Sequence, residues 1–462
     1  MNCKYCNAKV RADFKLCPYC GKALSNETET TVDNVEKKLP YVDEQVFELV
    51  PPKAEQKKKI WPLVLAITGA VTALAALAVV LLLALGVDIM PRENTILKKD
   101  DYTVSDKKAV NKAETVIATM GDKKLTNAQL QIYYFEQVTD FLNYYGSYAS
   151  YMGLDYTKPL SEQTCYYDES LTWEQYFINI AVETWQRYQA IGALAEKAGH
   201  VMSEDWQKAF DEMPADLLEQ AKDSGYDTVD ELLKNVIGPN CNQTNYLEFI
   251  RLNFYVTDYF KVISENLRPT EDEVNAYFTE NEAVFKEQGI TKESGLISAV
   301  RHILVCPEGG TTDETTGKVT YSETQWAACY AQAEKILKEW KDGEATSESF
   351  AKLVETYTED EGSKTTGGLY EGIYKDSGMT EAFEAWAIDA ERKVGDVGIV
   401  KADYDHYQGY HIMYFVEGEP HWSNAAETQL LSDRCTELVN AEIETLPFEI
   451  TYGKIALGEI GF

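Results

Sequence analysis

Three short runs in the last third of this chain carry side chains that could do chemistry: Arg301-His302-Ile303-Leu304-Val305, Tyr357-Thr358-Glu359-Asp360 and Gly409-Tyr410-His411-Ile412-Met413-Tyr414. The chain has five histidines, at 200, 302, 406, 411 and 421, and two of them fall in these runs. An imidazole with a carboxylate in reach can fix a tautomer, hold a proton or shape a local field. A second set stands at the opposite end. Cys3-Lys4-Tyr5-Cys6 and Cys17-Pro18-Tyr19-Cys20-Gly21 form two CxxC pairs in a segment too short to hold a core. Each pair directs two thiolates at one point, and four thiolates close a tetrahedral zinc site with no open position. A redox pair or a disulfide would use such cysteines too, but both are disfavoured in a reducing compartment. The doubled spacing therefore predicts structural zinc on Cys3, Cys6, Cys17 and Cys20.

Taken together, the three histidine- and aspartate-bearing runs resemble the parvulin-type peptidyl-prolyl cis/trans isomerases, over residues 297–418. The resemblance implies a small α+β domain with a mainly antiparallel sheet. In it His302 and His411 arrive on neighbouring strands as the paired histidines behind the active site. Asp360 takes the position where members carry Asp or Cys, on the loop facing them, and Leu369, Met379 and Phe383 line the apolar slot for the substrate's proline ring. The implied reaction uses no nucleophile and no catalytic cofactor. Rotation about an X–Pro bond passes through a twisted amide, a barrier of about 20 kcal/mol. An apolar slot can strip water from the imide while polar groups favour the twisted geometry. Two buried histidines could equally be hydrogen-bonded core groups; their joint presence with Asp360 favours a site. The chain also departs from the family. Gly367-Gly368-Leu369-Tyr370 lacks the Asp and last Gly of the usual Gly-Gly-Asp-Leu-Gly, and His406, Tyr407 and Gln408 stand where a Ser or Thr usually precedes the final histidine. A non-catalytic holdase with a degenerate isomerase domain is the alternative. The loop Pro307-Glu308-Gly309-Gly310-Thr311-Thr312-Asp313-Glu314 is acidic, which speaks against binding phosphorylated substrates.

The elements that position these residues are partly legible. Val300–Val305 reads as a first strand and Tyr410–Val416 as the closing one. Ser322 with Gln325 is a capping box for a helix whose Trp326, Tyr330, Ala333, Leu337 and Trp340 share a face. A second helix covers about Ser349–Tyr357. Upstream, 115–120 reads as a strand and Gly121-Asp122 as a turn. Further boxes at Thr126/Gln129, Thr172/Gln175, Thr228/Glu231 and Thr270/Glu273 open helices, making 126 to about 288 mostly α-helical. Stripes such as Leu130, Tyr133, Tyr134, Val138 and Phe141 read as core between helices. The order of parts resembles the PrsA- and SurA-like foldases, which implies a helical chaperone-like lobe (113–290), clients that are unfolded exported polypeptides with X–Pro bonds, and a tail (419–462) that returns to the lobe. Residues 423–447 read as helix and Glu449–Ile460 as a strand that could pair with 115–120.

A chain of 462 residues exceeds a single core. The net charge of −33 excludes a nucleic-acid partner. That charge is uneven: residues 1–59 hold 11 Lys/Arg against 9 Asp/Glu, leaving 32 against 67 beyond. On the boundary, residues 60–87 contain no charged side chain, long enough as a helix to cross a bilayer. Lys57-Lys58-Lys59 precedes it, so the expectation is a single-pass membrane protein with a cytosolic N-terminus and residues 88–462 outside. The fold class expected is thus multidomain: a zinc ribbon (1–24), a flexible linker (25–59), one transmembrane helix (60–87), a linker (88–112), the helical lobe and the parvulin domain. A closed zinc site makes the ribbon an interaction module for a cytosolic partner. The five remaining cysteines (165, 241, 306, 329, 435) are odd in number, and Cys306 and Cys329 flank one insertion they could bridge.

Overall fold

The computed structural model describes residues 112–312, 319–404, 407–458 and 460. Residues 1–111, on which the expected zinc ribbon, linkers and membrane span fall, and His406 lie outside the described residues. No helix among the described residues is long and apolar enough to cross a membrane. The described chain forms two compact units, one of 112–278 with 423–460, the other of 279–422.

The first unit opens with an antiparallel pair, β1 (Val116–Met120) and β2 (Lys123–Thr126), turning at Gly121. Thr126 then ends the strand by capping a helix. Its hydroxyl accepts from the Gln129 N–H and the Gln129 side chain accepts from the Thr126 N–H, which starts α1 (Asn127–Tyr145). The same reciprocal box at Thr172 and Gln175 starts α2 (Trp173–Ala198). Helices α3 (Glu204–Asp223), α4 (Val229–Val236), α5 (Gln243–Leu267) and α6 (Glu271–Glu280) follow. Aromatic residues at helical spacing form the core: Tyr133 and Tyr134 of α1, Trp173, Phe177, Trp185 and Tyr188 of α2, and Phe254 of α5 are buried. Between α1 and α2 the chain is not α-helical. There Gly146 and Gly153 take positive φ, and the chain runs through 3₁₀ turns and an irregular loop.

The second unit begins with α7 (Glu282–Glu287) and is built on a four-stranded antiparallel sheet. Strand β3 (Leu296–Val305) is central, and a two-residue hairpin, β4 (Thr311–Thr312) with β5 (Val319–Thr320), follows it. Next come α8 (Glu323–Asp342), α9 (Ser347–Tyr357), the one-turn α10 (Glu361–Lys364) and β6 (Leu369–Ile373). The short α11 (Glu381–Ala387), β7 (Val397–Tyr404) and β8 (Tyr407–Pro420) complete it, in sheet order β6-β3-β8-β7. Alternation along β3 and β8 sorts side chains between two faces. Ile303, Val305, Ile412 and Tyr414 pack on one face against Cys329, Ala333, Ile336 and Trp340 of α8 and Phe350 and Val354 of α9. Val300, Met413 and Phe415 pack on the other against Phe383, Trp386 and Ala387 of α11. Of the expected stripe on α8, Ala333, Leu337 and Trp340 join the first of these clusters beside Cys329 and Ile336, while Tyr330 is exposed and, with Trp326, packs on the ring of Tyr410. Cys306 and Cys329 are not bridged; the Cys329 thiol donates to the Val305 carbonyl at 3.1 Å.

From β8 the chain enters α12 (His421–Thr445), which from Ser423 onward belongs to the first unit, where Cys435 and Val439 join the core. Strand β9 (Phe448–Ile450) then pairs with β1, Ala118 opposite Ile450 and Met120 opposite Phe448. It is shorter than the strand expected over 449–460. A 3₁₀ turn at Tyr452–Lys454 ends it, and the Asn127 side chain, accepting from Ala456 N–H and donating to the Lys454 carbonyl, holds the tail beside α1.

Candidate active site

Two strands and one loop converge on the α11 face of the sheet. His302 of β3 stands opposite Met413, and Leu304 stands opposite His411, so the two histidines are diagonal neighbours on that face. Their Nδ1 atoms lie 2.9 Å apart. The loop after α9 delivers the carboxylate and is tied to β3 at each residue. Thr358 Oγ1 accepts from the N–H of Leu304 and of Asp360, each at 3.2 Å, and Glu359 N–H donates to the Leu304 carbonyl at 2.9 Å. The Glu359 carboxylate accepts from the Cys306 N–H at 2.7 Å. Asp360 then caps α10, its Oδ1 accepting from Gly362 N–H at 3.2 Å.

That cap aims the other oxygen at the histidines. Asp360 Oδ2 lies 2.9 Å from His302 Nε2, accepts from the Tyr370 hydroxyl at 3.2 Å, and accepts from the Ser363 hydroxyl. His302, His411 and Ser363 are buried, whereas the Asp360 side chain keeps 17% of its surface exposed. A carboxylate accepts, so His302 donates from Nε2. One proton lies between the two Nδ1 atoms, which leaves Nε2 as the His411 ring nitrogen outside the pair. That atom is buried without a hydrogen-bond partner among the described residues.

The His302 hydrogen bond, helped by Ser363 and Tyr370, holds the Asp360 carboxyl well below its usual range, against the opposing effect of burial. Burial, then the charge of His302, pushes His411 down to about 3. The unfolded imidazole would take its proton near 6.5. Between those values the unfolded chain binds the extra proton, so stability should fall as pH drops from about 6.5 toward 3, by about 1.4 kcal/mol per pH unit. Asp360, whose folded pKa is depressed, adds a loss of the same sign below its unfolded value of about 3.9. Urea midpoints across this range should show the decline, with a smaller slope above pH 4 in His411→Asn.

The apolar wall is Phe383. Its ring meets His302 edge-on at 5.4 Å between centroids and His411 at 5.2 Å, and half-buried Met379 packs in the same cluster. Leu369 is not there. It precedes Tyr370 on β6, and adjacent strand residues face opposite sides. Tyr370, opposite Val300, supplies the ring instead, 5.1 Å from His302 and 6.2 Å from Phe383. Five of the six residues expected at an isomerase site (His302, Asp360, His411, Met379 and Phe383) therefore share this face, while Leu369 does not. Tyr370 and Ser363 are the residues sequence reasoning missed. The alternation around Gly-Gly-Leu-Tyr is the signal that points to Tyr370; Ser363, three residues after an Asp that opens a helix, carried only a weak one. Gly368 lets β6 come this close. Its φ is +74°, its carbonyl accepts from His302 N–H at 2.9 Å, and an added Cβ would stand 2.4 Å from the His302 oxygen.

The arrangement holds no activated nucleophile. It offers an aromatic and thioether wall beside a buried, hydrogen-bonded anion–imidazole chain, suited to binding a small apolar ring and biasing the charge distribution of an adjoining amide.

Residues 302–417 match the family model of the PPIC-type PPIase (rotamase) domain. The chain thus carries a parvulin-type peptidyl-prolyl isomerase domain over about a quarter of its length. No curated protein matches the sequence. Among solved structures, the chain is similar to the peptidylprolyl isomerase PrsA from Bacillus anthracis (18% identity, 57% of this chain and 96% of that one, TM-score 0.18). It is also similar to the SurA-like chaperones PEB4 and Cj1289 of Campylobacter jejuni (16%, 66% and 91%, 0.20) and to the foldase PrsA from Streptococcus pneumoniae (12%, 57% and 82%, 0.24). Overlaps this loose leave the argument to the chain's own geometry.

Proposed function

We propose that this protein is a peptidyl-prolyl cis/trans isomerase and foldase that acts on exported polypeptides outside the cytoplasm. The observation that carries the reading is the continuous chain Asp360–His302–His411 lying against Phe383 within the matched domain. In this reading Phe383 and Met379 receive the proline ring, and Asp360 with the histidine pair biases the imide toward its twisted form. The apolar segment 60–87 anchors the chain in the cell membrane, and Cys3, Cys6, Cys17 and Cys20 hold a structural zinc on the cytosolic side. Tyr370 closes the slot and steadies Asp360. Tyr370→Phe keeps the ring but removes one donor, so the turnover rate should fall about tenfold with little change in KM.

A second reading is favoured by one observation. A phenol stands in the slot where the resemblance supplies an aliphatic side chain, which suits a holdase that grips extended segments without turning them. Refolding of a proline-limited protein separates the two. An isomerase speeds the slow refolding phase at substoichiometric amounts, whereas a holdase only suppresses aggregation in proportion to its concentration.

A further inference from the structure

Residues 144–167 contain seven of the chain's 30 tyrosines, and the plain expectation for so many rings is burial. Several are not buried. Tyr144, Tyr148 and Tyr151 are 82%, 70% and 83% exposed, and Tyr156 is 54% exposed. They do not hang from a loose tether. Tyr144 meets the ring of Tyr145 at 4.8 Å, Tyr145 packs on Phe141 at 4.5 Å, and its hydroxyl lies 3.0 Å from that of Tyr167. Tyr167 in turn stacks on Tyr176 at 5.4 Å and meets Trp173 edge-on. Beyond Tyr145, Gly146 and Gly153 bracket the 3₁₀ segment on which Tyr148 and Tyr151 stand 6.0 Å apart. The result is an ordered aromatic platform whose outer faces meet solvent. Such rings offer large contact area at small cost in conformational freedom, and an exposed patch of them marks a binding surface.

Charge selects the occupant. Over 144–171 the only basic residue in the sequence, Lys158, lies 2.7 Å from Asp155, while Glu162 and Asp168 are acidic and exposed. A second copy of a chain carrying −33 would meet like charge, as would nucleic acid or an anionic lipid surface. A cation gains twice, from the ring faces and from the carboxylates. We infer that the tyrosine platform of 144–156 is a docking surface for extended, Lys- or Arg-bearing polypeptide segments. It lies in the first unit and needs nothing from the isomerase site, so the two readings stand or fall separately.

The test is fluorescence anisotropy on the full-length chain, with a labelled peptide of repeated Lys-Gly-Ser and a matched Glu-Gly-Ser control. The lysine peptide should bind and the glutamate peptide should not. The combined variant Tyr144→Ser, Tyr148→Ser, Tyr151→Ser should weaken binding about tenfold with an unchanged circular dichroism spectrum. The pair Glu162→Gln, Asp168→Asn should weaken it and flatten its salt dependence. Undiminished binding by the tyrosine variant would overturn the inference, as would equal binding of both peptides. So would tyrosine-dependent binding of an uncharged oligosaccharide or an anionic vesicle in place of the lysine peptide, or tyrosine-dependent dimerisation.

Discussion

Asp360→Ala should slow isomerisation of a Xaa–Pro peptide about a hundredfold, the size of effect seen when one preorganised polar group is removed from an active site. The carboxylate is where the site's donors meet: His302 Nε2, the Tyr370 hydroxyl and the Ser363 hydroxyl all reach Oδ2. Without it, the His302 N–H loses its acceptor in a buried setting and the tautomer order along the histidine pair is no longer imposed. The fold should survive, because Thr358 and Glu359 still pin the loop to the end of β3 when the Asp360 side chain is removed. Loss of the cap on the one-turn α10 costs about 1 kcal/mol. His302→Ala should act in the same direction. Comparing circular dichroism and turnover for the two variants checks the expectation, and parental rates in both would reject these residues as the working groups.

Phe383→Ala has the larger expected effect on stability. The ring is 3% exposed and touches His302, His411 and Tyr370 within a cluster that also holds Val300, Met413 and Trp386. Deleting a buried phenyl group typically costs about 3–5 kcal/mol, because the surroundings collapse only partly into the cavity. Urea denaturation should show that loss in the transition of the 279–422 unit. Binding should suffer as well, since the same ring forms the slot wall. Phe383→Leu, which retains most of the volume, should regain most of the stability and only part of the activity. Equal recovery of both would mean that Phe383 serves packing alone.

Local chemistry made much of this legible. Capping boxes at Thr126, Thr172 and Ser322 depend on residues three apart, and all three form as read. The histidines could be placed together only through the resemblance, since the strand pairing that joins them spans 109 residues of sequence. Leu369 was assigned to the slot by the resemblance, whereas the ladder pairs Leu369 with Arg301 and sets Tyr370 opposite Val300, on the face of the site. The stripe on α8 holds at Ala333, Leu337 and Trp340 and departs at its first two residues. Trp326 and Tyr330 are apolar at helical spacing, yet a partner ring on β8, Tyr410, holds them at the surface. The stretch 126–288 is mostly α-helical, as its capping boxes lead one to expect, and 146–171, where two glycines take positive φ, is its main interruption.

Catalysed rotation itself is the most direct test. Exchange between the cis and trans forms of a short Xaa–Pro peptide can be followed by NMR in the presence of a small amount of the full-length chain. The account expects exchange to accelerate from its uncatalysed timescale of tens of seconds, and the acceleration to vanish with Asp360→Ala. Peptide resonances that broaden through binding while the exchange rate stays at its uncatalysed value would contradict it.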